Sequence, residues 1–97
     1  MYDIELTPQA MDDLRWFQTY EQREIIETIN QQLRYEPLTK TRNRKPMRAN
    51  ETADWELRIR HFRVLYSVDA TVRIIEIQRI GEKRGNRFFF RGRQEDV

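Results

Sequence analysis

The second half of the chain carries a long alternation of apolar and polar residues. Residues 55–60 and 62–68 are apolar at every second position. Side chains of a strand point to opposite faces in turn, so this period of two predicts two half-buried β-strands. A third strand, 72–80, has apolar residues on both faces, which is typical of a central strand covered on both sides. The chain must therefore build a sheet around these segments.

The first half of the chain has a helical period instead. Tyr2–Leu6 alternates as one short strand, and Thr7-Pro8 then supplies a typical N-cap and first helical residue. Apolar residues recur at helical spacing from Ala10 to Phe17 and again in a second segment, which predicts two helices, the second over about 21–35. The break between them is short, so we expect an antiparallel helical hairpin.

The remaining segments complete the predicted architecture. Residues 38–53 are basic and polar, which predicts a loop with a short strand around Pro46–Arg48, and Arg87–Arg91 predicts a last short strand after Gly85-Asn86. The main elements follow the order β-α-α-β-β-β. We therefore predict a single α+β domain over 1–97, with the helical hairpin packed on one face of a small, mainly antiparallel sheet.

Composition excludes several classes of function. The 97 residues include no cysteine, which excludes a disulfide framework, a thiol nucleophile and cysteine-ligated zinc. A single histidine, His61, argues against a metal site and against a mechanism that needs two histidines. No stretch approaches the roughly 20 apolar residues of a membrane span, and the acidic start lacks the pattern of a signal peptide. We expect a cytoplasmic protein without metal or cofactor.

The formal net charge of +2 hides two halves of opposite sign. Residues 1–35 hold three bases against seven acids, a net charge of −4, and residues 36–97 hold fifteen bases against nine acids, a net charge of +6. Fifteen of the eighteen bases are arginine, whose rigid fork of donors suits phosphate. The second half therefore predicts an anionic partner, and the alternative is an ordinary solvated surface.

The two alternating strands place arginines together. A tight hairpin with His61-Phe62 at its turn would pair Arg60 with Arg63 and put the apolar residues of both strands on one face. The other face would then gather Arg58, Arg60 and Arg63. Like charges opposed across strands are destabilising, so such a cluster indicates a bound anion. The alternative is that Glu56 and more distant acids neutralise the cluster.

These strands carry a motif that resembles the RelE/ParE superfamily of bacterial toxin–antitoxin toxins. The run from Trp55 to Val68 is similar to the family pattern W-x-L-R-x-x-x-Y/F-R-V-x-Y-x-V, and a later strand ends in Ile80–Arg84 as in the family. The opening I-x-L-T-x-x-A-x-x-D-L, residues 4–14, is also similar to the family start. The resemblance spans nearly the whole chain.

The resemblance implies a microbial RNase-like fold and two possible modes of toxicity. The RelE-type branch cuts mRNA in the ribosomal A site with the 2′-hydroxyl of the RNA as nucleophile, whereas the ParE-type branch inhibits DNA gyrase. We favour a ribosome-dependent mRNA endonuclease that inhibits translation. The alternatives are a non-catalytic or gyrase-inhibiting member, or a basic RNA- or DNA-binding module. The implied partners are mRNA on the ribosome and an acidic antitoxin encoded by a neighbouring gene.

The resemblance also implies roles for individual residues. Arg63 would hold the scissile phosphate, with Arg58 and Lys83 stabilising charge beside it. His61 would transfer a proton if it lay close to Arg63, and the alternative is an exposed turn histidine. The candidates for RNA binding are Arg60, Arg84, Arg87, Lys45, Arg48 and Phe89.

Two positions depart from the family pattern. The catalytic tyrosine near the C-terminus of the family aligns with Phe88 or Phe89, neither of which can transfer a proton, although a phenyl ring can stack on a base. The alternative for these rings is an edge strand that buries every second one. Glu56 stands where some active members carry a lysine. Tyr66 is expected to point into the core.

Overall fold

A helical hairpin lies against one face of a seven-stranded sheet in the computed structural model, which describes residues 1–97. Strands β2 to β7 are antiparallel neighbours in chain order, and β1 pairs in parallel with β5. The predicted α+β class is confirmed, with one strand, β7, that the sequence pattern did not predict. The elements are β1 (Asp3–Leu6), α1 (Pro8–Trp16), α2 (Thr19–Leu33), β2 (Arg44–Pro46), β3 (Trp55–Ile59), β4 (Phe62–Asp69), β5 (Ile74–Arg84), β6 (Arg87–Phe90) and β7 (Arg93–Glu95).

The helices begin where polar side chains cap them. Thr7 caps α1 as predicted, because its Oγ1 accepts a hydrogen bond from the Ala10 N–H at 3.1 Å. Helix α2 begins at Thr19, two residues before the expected start at Glu21, because the Glu21 carboxylate accepts from the Gln18 N–H at 3.0 Å. Neither helix has the length and apolar character to cross a bilayer.

The main core lies between the helical hairpin and the sheet. It contains 14 buried residues, and Tyr66 at its centre is fully buried, as predicted. The Tyr66 hydroxyl donates to the Pro37 carbonyl at 2.7 Å, and burial raises the pKa of this hydroxyl. The segment after α2 is thereby tied to the sheet. The other members with no exposed surface include Ile25, Leu33, Leu57, Phe62, Val64, Ile75, Ile77 and Ile80.

Strands β3 and β4 pair in a register two residues away from the predicted one. Arg58 lies opposite Arg63, and the turn is Arg60-His61 rather than His61-Phe62. The predicted pairing of Arg60 with Arg63 is therefore wrong. Phe62 is fully buried in the core, and a turn at Phe62 would have removed it from the strand. A shift of two residues leaves every side chain on its expected face, so the alternating pattern fits both registers.

A buried carboxylate joins α1 to the far side of the sheet. Asp13 has no exposed surface and accepts hydrogen bonds from Arg79 Nε at 2.8 Å and from the Ile80 N–H at 3.0 Å. The Arg79 guanidinium also donates to Glu95 of β7 at 3.0 Å and lies 4.0 Å from the ring centre of Phe90. The hydrogen bond from Arg79 lowers the pKa of the Glu95 carboxyl. One guanidinium thus holds α1, β5 and β7 together.

Replacing Asp13→Ala should lower the free energy of unfolding by about 3–5 kcal/mol, because Arg79 would keep a buried charge without its main partner. The neighbouring Asp12 is 58% exposed and pairs with Arg15 at 3.8 Å, so Asp12→Ala should cost less than about 0.5 kcal/mol. Urea denaturation followed by circular dichroism measures both. Equal losses in the two variants would contradict a structural role for the Asp13 network.

Candidate nucleic-acid interface

Two arginines face each other directly across the β3–β4 hairpin. Arg58 of β3 and Arg63 of β4 are cross-strand partners, on the face of the sheet opposite to the buried Leu57 and Val64. Glu56 lies beside both: its carboxylate oxygens are 3.6 Å from Arg58 Nε and 3.9 Å from Arg63 Nε. Two like charges are therefore held together by a single carboxylate.

The arginine pair is only partly satisfied. The Nε atoms of Arg58 and Arg63 are buried and have no hydrogen-bond partner. A terminal nitrogen of Arg63 donates to the backbone carbonyls of Arg60 and Phe62 at 2.7 and 2.8 Å, which folds this side chain back over the hairpin turn. Burial lowers the pKa of the Arg63 guanidinium, while Glu56 acts in the opposite direction. The pair keeps a net positive charge next to one buried carboxylate.

An open groove of about 500 Å³ begins at Glu56. Its basic lining residues are Lys45, Arg48 and Lys83, and Glu56 is the one acidic residue among them. An adjoining groove of about 510 Å³ shares Arg48 and Lys83 and adds Arg87 together with the acidic Glu95 and Asp96. The structure therefore brings together four of the basic residues that the sequence singled out, Lys45, Arg48, Lys83 and Arg87. We refer to the two connected depressions as the basic groove.

An aromatic side chain lies in the basic groove. Phe88 of β6 is the cross-strand partner of Lys83, whose ammonium nitrogen lies 5.2 Å from the centre of the Phe88 ring. Phe88 stacks on the buried Phe90 at 6.1 Å between ring centres, and Leu65 packs in the same small cluster. Gly81 permits this packing, since a Cβ at this position would lie 2.5 Å from the Phe90 ring. The groove thus offers cations and a half-buried ring.

The other predicted aromatic lies elsewhere. Phe89 packs against Arg84, whose guanidinium carbon lies 4.5 Å from the ring centre. Side chains alternate along a strand, so Phe89 and Arg84 project from the face opposite to that of Phe88 and Lys83. The sequence could favour Phe88 over Phe89 only if the β5–β6 register were already known.

Arg60 does not join the arginine pair. It occupies the hairpin turn with φ +53°, and its Nε donates to Glu24 of α2 at 2.8 Å. This hydrogen bond lowers the pKa of the Glu24 carboxyl. The expectation of three arginines on one face is therefore wrong, because the shifted register moves Arg60 into the turn and towards the helices. Two arginines, Arg58 and Arg63, remain.

His61 lies at the exposed end of the same hairpin. Its side chain is 45% exposed, and its Nε2 lies 3.4 Å from a carboxylate oxygen of Glu82. This placement agrees with the alternative of an exposed turn histidine. His61, like Arg58 and Arg63, is absent from the lining of the basic groove.

The missing hydrogen bonds of Arg58 Nε and Arg63 Nε lead to a prediction about the free energy of unfolding. Replacing Arg58→Met removes a like charge and a buried Nε without a partner, while Glu56 keeps Arg63 as its counter-ion. The free energy of unfolding should therefore stay within about 1 kcal/mol of the original value or rise. Arg79, which is fully hydrogen-bonded, is the matched control. The free energy of unfolding should fall by about 3–5 kcal/mol in Arg79→Met. Chemical denaturation of both variants checks the contrast. A loss above about 2 kcal/mol in Arg58→Met would show that Arg58 is held for stability.

Comparisons with known proteins identify the fold. No protein-family model and no curated protein matches the chain. Among solved structures, the chain is similar to the toxin–antitoxin complex RelBE2 from Mycobacterium tuberculosis, with a TM-score of 0.73 and 26% identity over 84% of this chain and 98% of that one. It is also similar to the isolated Escherichia coli RelE toxin, with a TM-score of 0.70 and 12% identity over 87% of this chain and 86% of that one.

A third match extends the comparison to YoeB. The YoeB dimer from Staphylococcus aureus has a TM-score of 0.62 and 23% identity over 86% of this chain and 97% of that one. The matched chains are covered almost completely, so the similarity concerns the whole domain and not one motif. The chain therefore has the fold of the RelE and YoeB toxins, and the RelE-like resemblance carried by the Trp55–Val68 motif is confirmed.

Proposed function

We propose that this chain is the toxin of a type II toxin–antitoxin module and that it cleaves mRNA on the ribosome. The observation that carries the proposal is the basic groove beside the opposed Arg58 and Arg63, on a fold shared with RelE and YoeB toxins. An arginine pair that leaves two buried donors unsatisfied costs stability, which favours a role in binding an anion. Phosphate groups of RNA are anions of suitable size and charge.

The groove supplies the positive charge that phosphodiester cleavage requires. Attack of the 2′-hydroxyl on the adjacent phosphorus builds negative charge on the phosphate oxygens, and fixed cations beside it can lower the barrier by several kcal/mol. In our proposal Lys83, Arg58 and Arg63 supply this charge. Lys45, Arg48 and Arg87 would hold flanking phosphates, and the Phe88 ring would stack on a base.

Ribosomes programmed with a defined mRNA provide the first test. Purified protein should cut the mRNA within the A-site codon, as read by toe-printing. Lys83→Met should lower the cleavage rate about 10–100-fold, because one fixed cation is lost from the reaction centre. Lys40→Met, in an exposed loop outside the groove, should cleave like the original protein.

Other outcomes of this test point to other functions. An intact mRNA together with inhibited supercoiling by DNA gyrase would replace the proposal with gyrase inhibition. Tight binding of nucleic acid that falls steeply with salt, without cleavage or growth arrest, would replace it with a basic binding module.

The proposal includes a cognate antitoxin. Solved structures with this fold include complexes named RelE–RelB and YoeB–YefM. A partner that covers the basic groove of this chain would need acidic residues opposite Lys45, Arg48 and Lys83, and apolar residues against Phe88. A short acidic protein encoded by a neighbouring gene fits that requirement.

Co-expression tests the partner. The neighbouring acidic protein should relieve growth arrest, co-purify with this chain and abolish mRNA cleavage in vitro. A double variant Lys45→Glu with Arg48→Glu should weaken the complex at least tenfold in Kd, because it reverses two charges in the contact. The double variant Lys40→Glu with Arg42→Glu changes the same number of charges in the exposed loop and should bind normally. Equal binding of the two double variants would place the antitoxin elsewhere.

A further inference from the structure

We infer that Asn50 is a positioning residue that holds Arg48 in place for contact with an RNA phosphate. The inference rests on the proposed function, which assigns Arg48 to a flanking phosphate, and it names the residue that fixes this contact. Residues 47–54 join β2 to β3 without helix or strand. We call this segment the arm. A loop of this kind brings a guanidinium to a constant place only if its own contacts hold its backbone.

Arg48 is shared by the two depressions of the basic groove. It lines both of them, as Lys83 does, and it is exposed. Asp96 lines one of the depressions, yet none of the ion pairs of the fold includes Arg48. The place of its guanidinium therefore depends on the backbone of the arm and not on a carboxylate.

The Asn50 amide uses all of its hydrogen-bonding capacity inside the arm. Its Oδ1 accepts from the N–H of Thr52 at 2.7 Å and from that of Ala53 at 3.0 Å. Its Nδ2 donates to the carbonyl of Arg48 at 2.7 Å and to that of Ala53 at 3.0 Å. An asparagine amide has two N–H donors and an oxygen that accepts two hydrogen bonds, so no group is left over. The bond to the Arg48 carbonyl fixes the backbone of the arginine itself.

Other contacts anchor the two ends of the arm. The Met47 N–H donates to the Asp54 carbonyl at 2.8 Å, which closes the loop. Ala53 is 5% exposed and belongs to a small buried cluster, against which Met47 and Phe88 pack. The arm and the Phe88 ring therefore share one support. Loss of the Asn50 side chain should loosen the middle of the arm while its ends and the core stay in place.

An arm that is ordered in the free protein raises the affinity for an anion. Binding through a mobile loop must also order that loop, and the ordering of flexible side chains on binding lowers affinity. The four hydrogen bonds of Asn50 keep the arm ordered before RNA binds. Asn50 also lines the groove, but its amide has no free donor or acceptor for a ligand. Its contribution to binding is therefore made through Arg48.

A double-mutant cycle tests whether Asn50 acts through Arg48. The measurement is the Kd for ribosomes programmed with a 2′-deoxy A-site codon, which lacks the attacking hydroxyl. Asn50→Ala should raise this Kd about 3–10-fold, the effect expected when a flexible side chain has to be ordered on binding. Adding Asn50→Ala to Arg48→Ala should change the Kd by less than about twofold, because the contact is already lost. Adding it to Lys45→Ala should again raise the Kd about 3–10-fold, since Lys45 lies on β2 outside the arm.

Two further measurements separate positioning from a general structural role. Asn50→Ala should leave the cleavage rate on saturating ribosomes unchanged, because the cations assigned to the reaction centre lie outside the arm. The amide protons of Thr52 and Ala53 should exchange faster with solvent deuterium in this variant, while those of β5 keep their original rates. Asn43→Ala, at an exposed asparagine just before β2, is the matched control and should equal the original protein in all three measurements.

The outcomes distinguish this inference from the proposed function. Unchanged binding by Asn50→Ala, or losses that multiply when it is combined with Arg48→Ala, would show that Asn50 does not act through the arginine. A joint fall in binding, cleavage rate and thermal stability would give Asn50 a structural role only. If the original protein binds these ribosomes but leaves a cleavable mRNA intact, the endonuclease proposal fails and the cycle still decides the role of Asn50. If the original protein does not bind them, both proposals fail.

Discussion

The register of the β3–β4 hairpin decides which side chains share the outer face of the sheet. Phe62 is fully buried and Ile59 is 5% exposed, and pairing these two residues sets the turn at Arg60-His61. This pairing forces Arg58 and Arg63 into direct opposition. Apolar burial on one face of the hairpin thus creates the cationic pair on the other, because successive side chains must alternate. The free energy gained by burying apolar side chains in the core compensates for the repulsion between the two guanidinium groups.

Four buried or half-buried arginines show what distinguishes a structural guanidinium in this fold. Arg79 donates to Asp13 and Glu95, and Arg44 donates to the backbone carbonyls of Thr39 and Gln32. Arg79 therefore joins elements that are distant in sequence, and Arg44 ties β2 to the end of α2 and the segment that follows it. In Arg58 and Arg63 the Nε atoms have no partner, and no other element of the fold is joined through them. Arg79 and Arg44 therefore stabilise the fold, whereas Arg58 and Arg63 are held in position by the rest of the fold.

The sequence predicted the elements well where the physical signal is local. Thr7-Pro8 marks the start of α1, and the alternating runs mark the central strands. Strand β7 (Arg93–Glu95) contains no apolar residue, so no alternation of apolar and polar residues could predict it. The predicted hairpin register was wrong because a shift by two residues leaves every side chain on the same face of the sheet. Only the burial of Phe62 distinguishes the two registers.

The groove depends on contacts that no local pattern contains. Lys83 and Phe88 face the same side because β5 and β6 pair in one particular register, and the same alternation sends Phe89 to the other side. The motif named Arg58 and Arg63, which are cross-strand partners, but it gave Glu56 only as a departure or a neutralising charge. In three dimensions Glu56 is the one acid that lines a depression with three bases, Lys45, Arg48 and Lys83.

That composition has a consequence for the chemistry. Cations alone can bind phosphate and stabilise developing charge, but they cannot remove a proton from a hydroxyl unless they are first deprotonated. Arginine does not lose its proton in the neutral range. The Glu56 carboxylate lies 3.6 and 3.9 Å from the Nε atoms of Arg58 and Arg63, and its charge offsets the repulsion between the two guanidinium groups. One side chain thus stabilises the cationic pair on the outer face of the sheet.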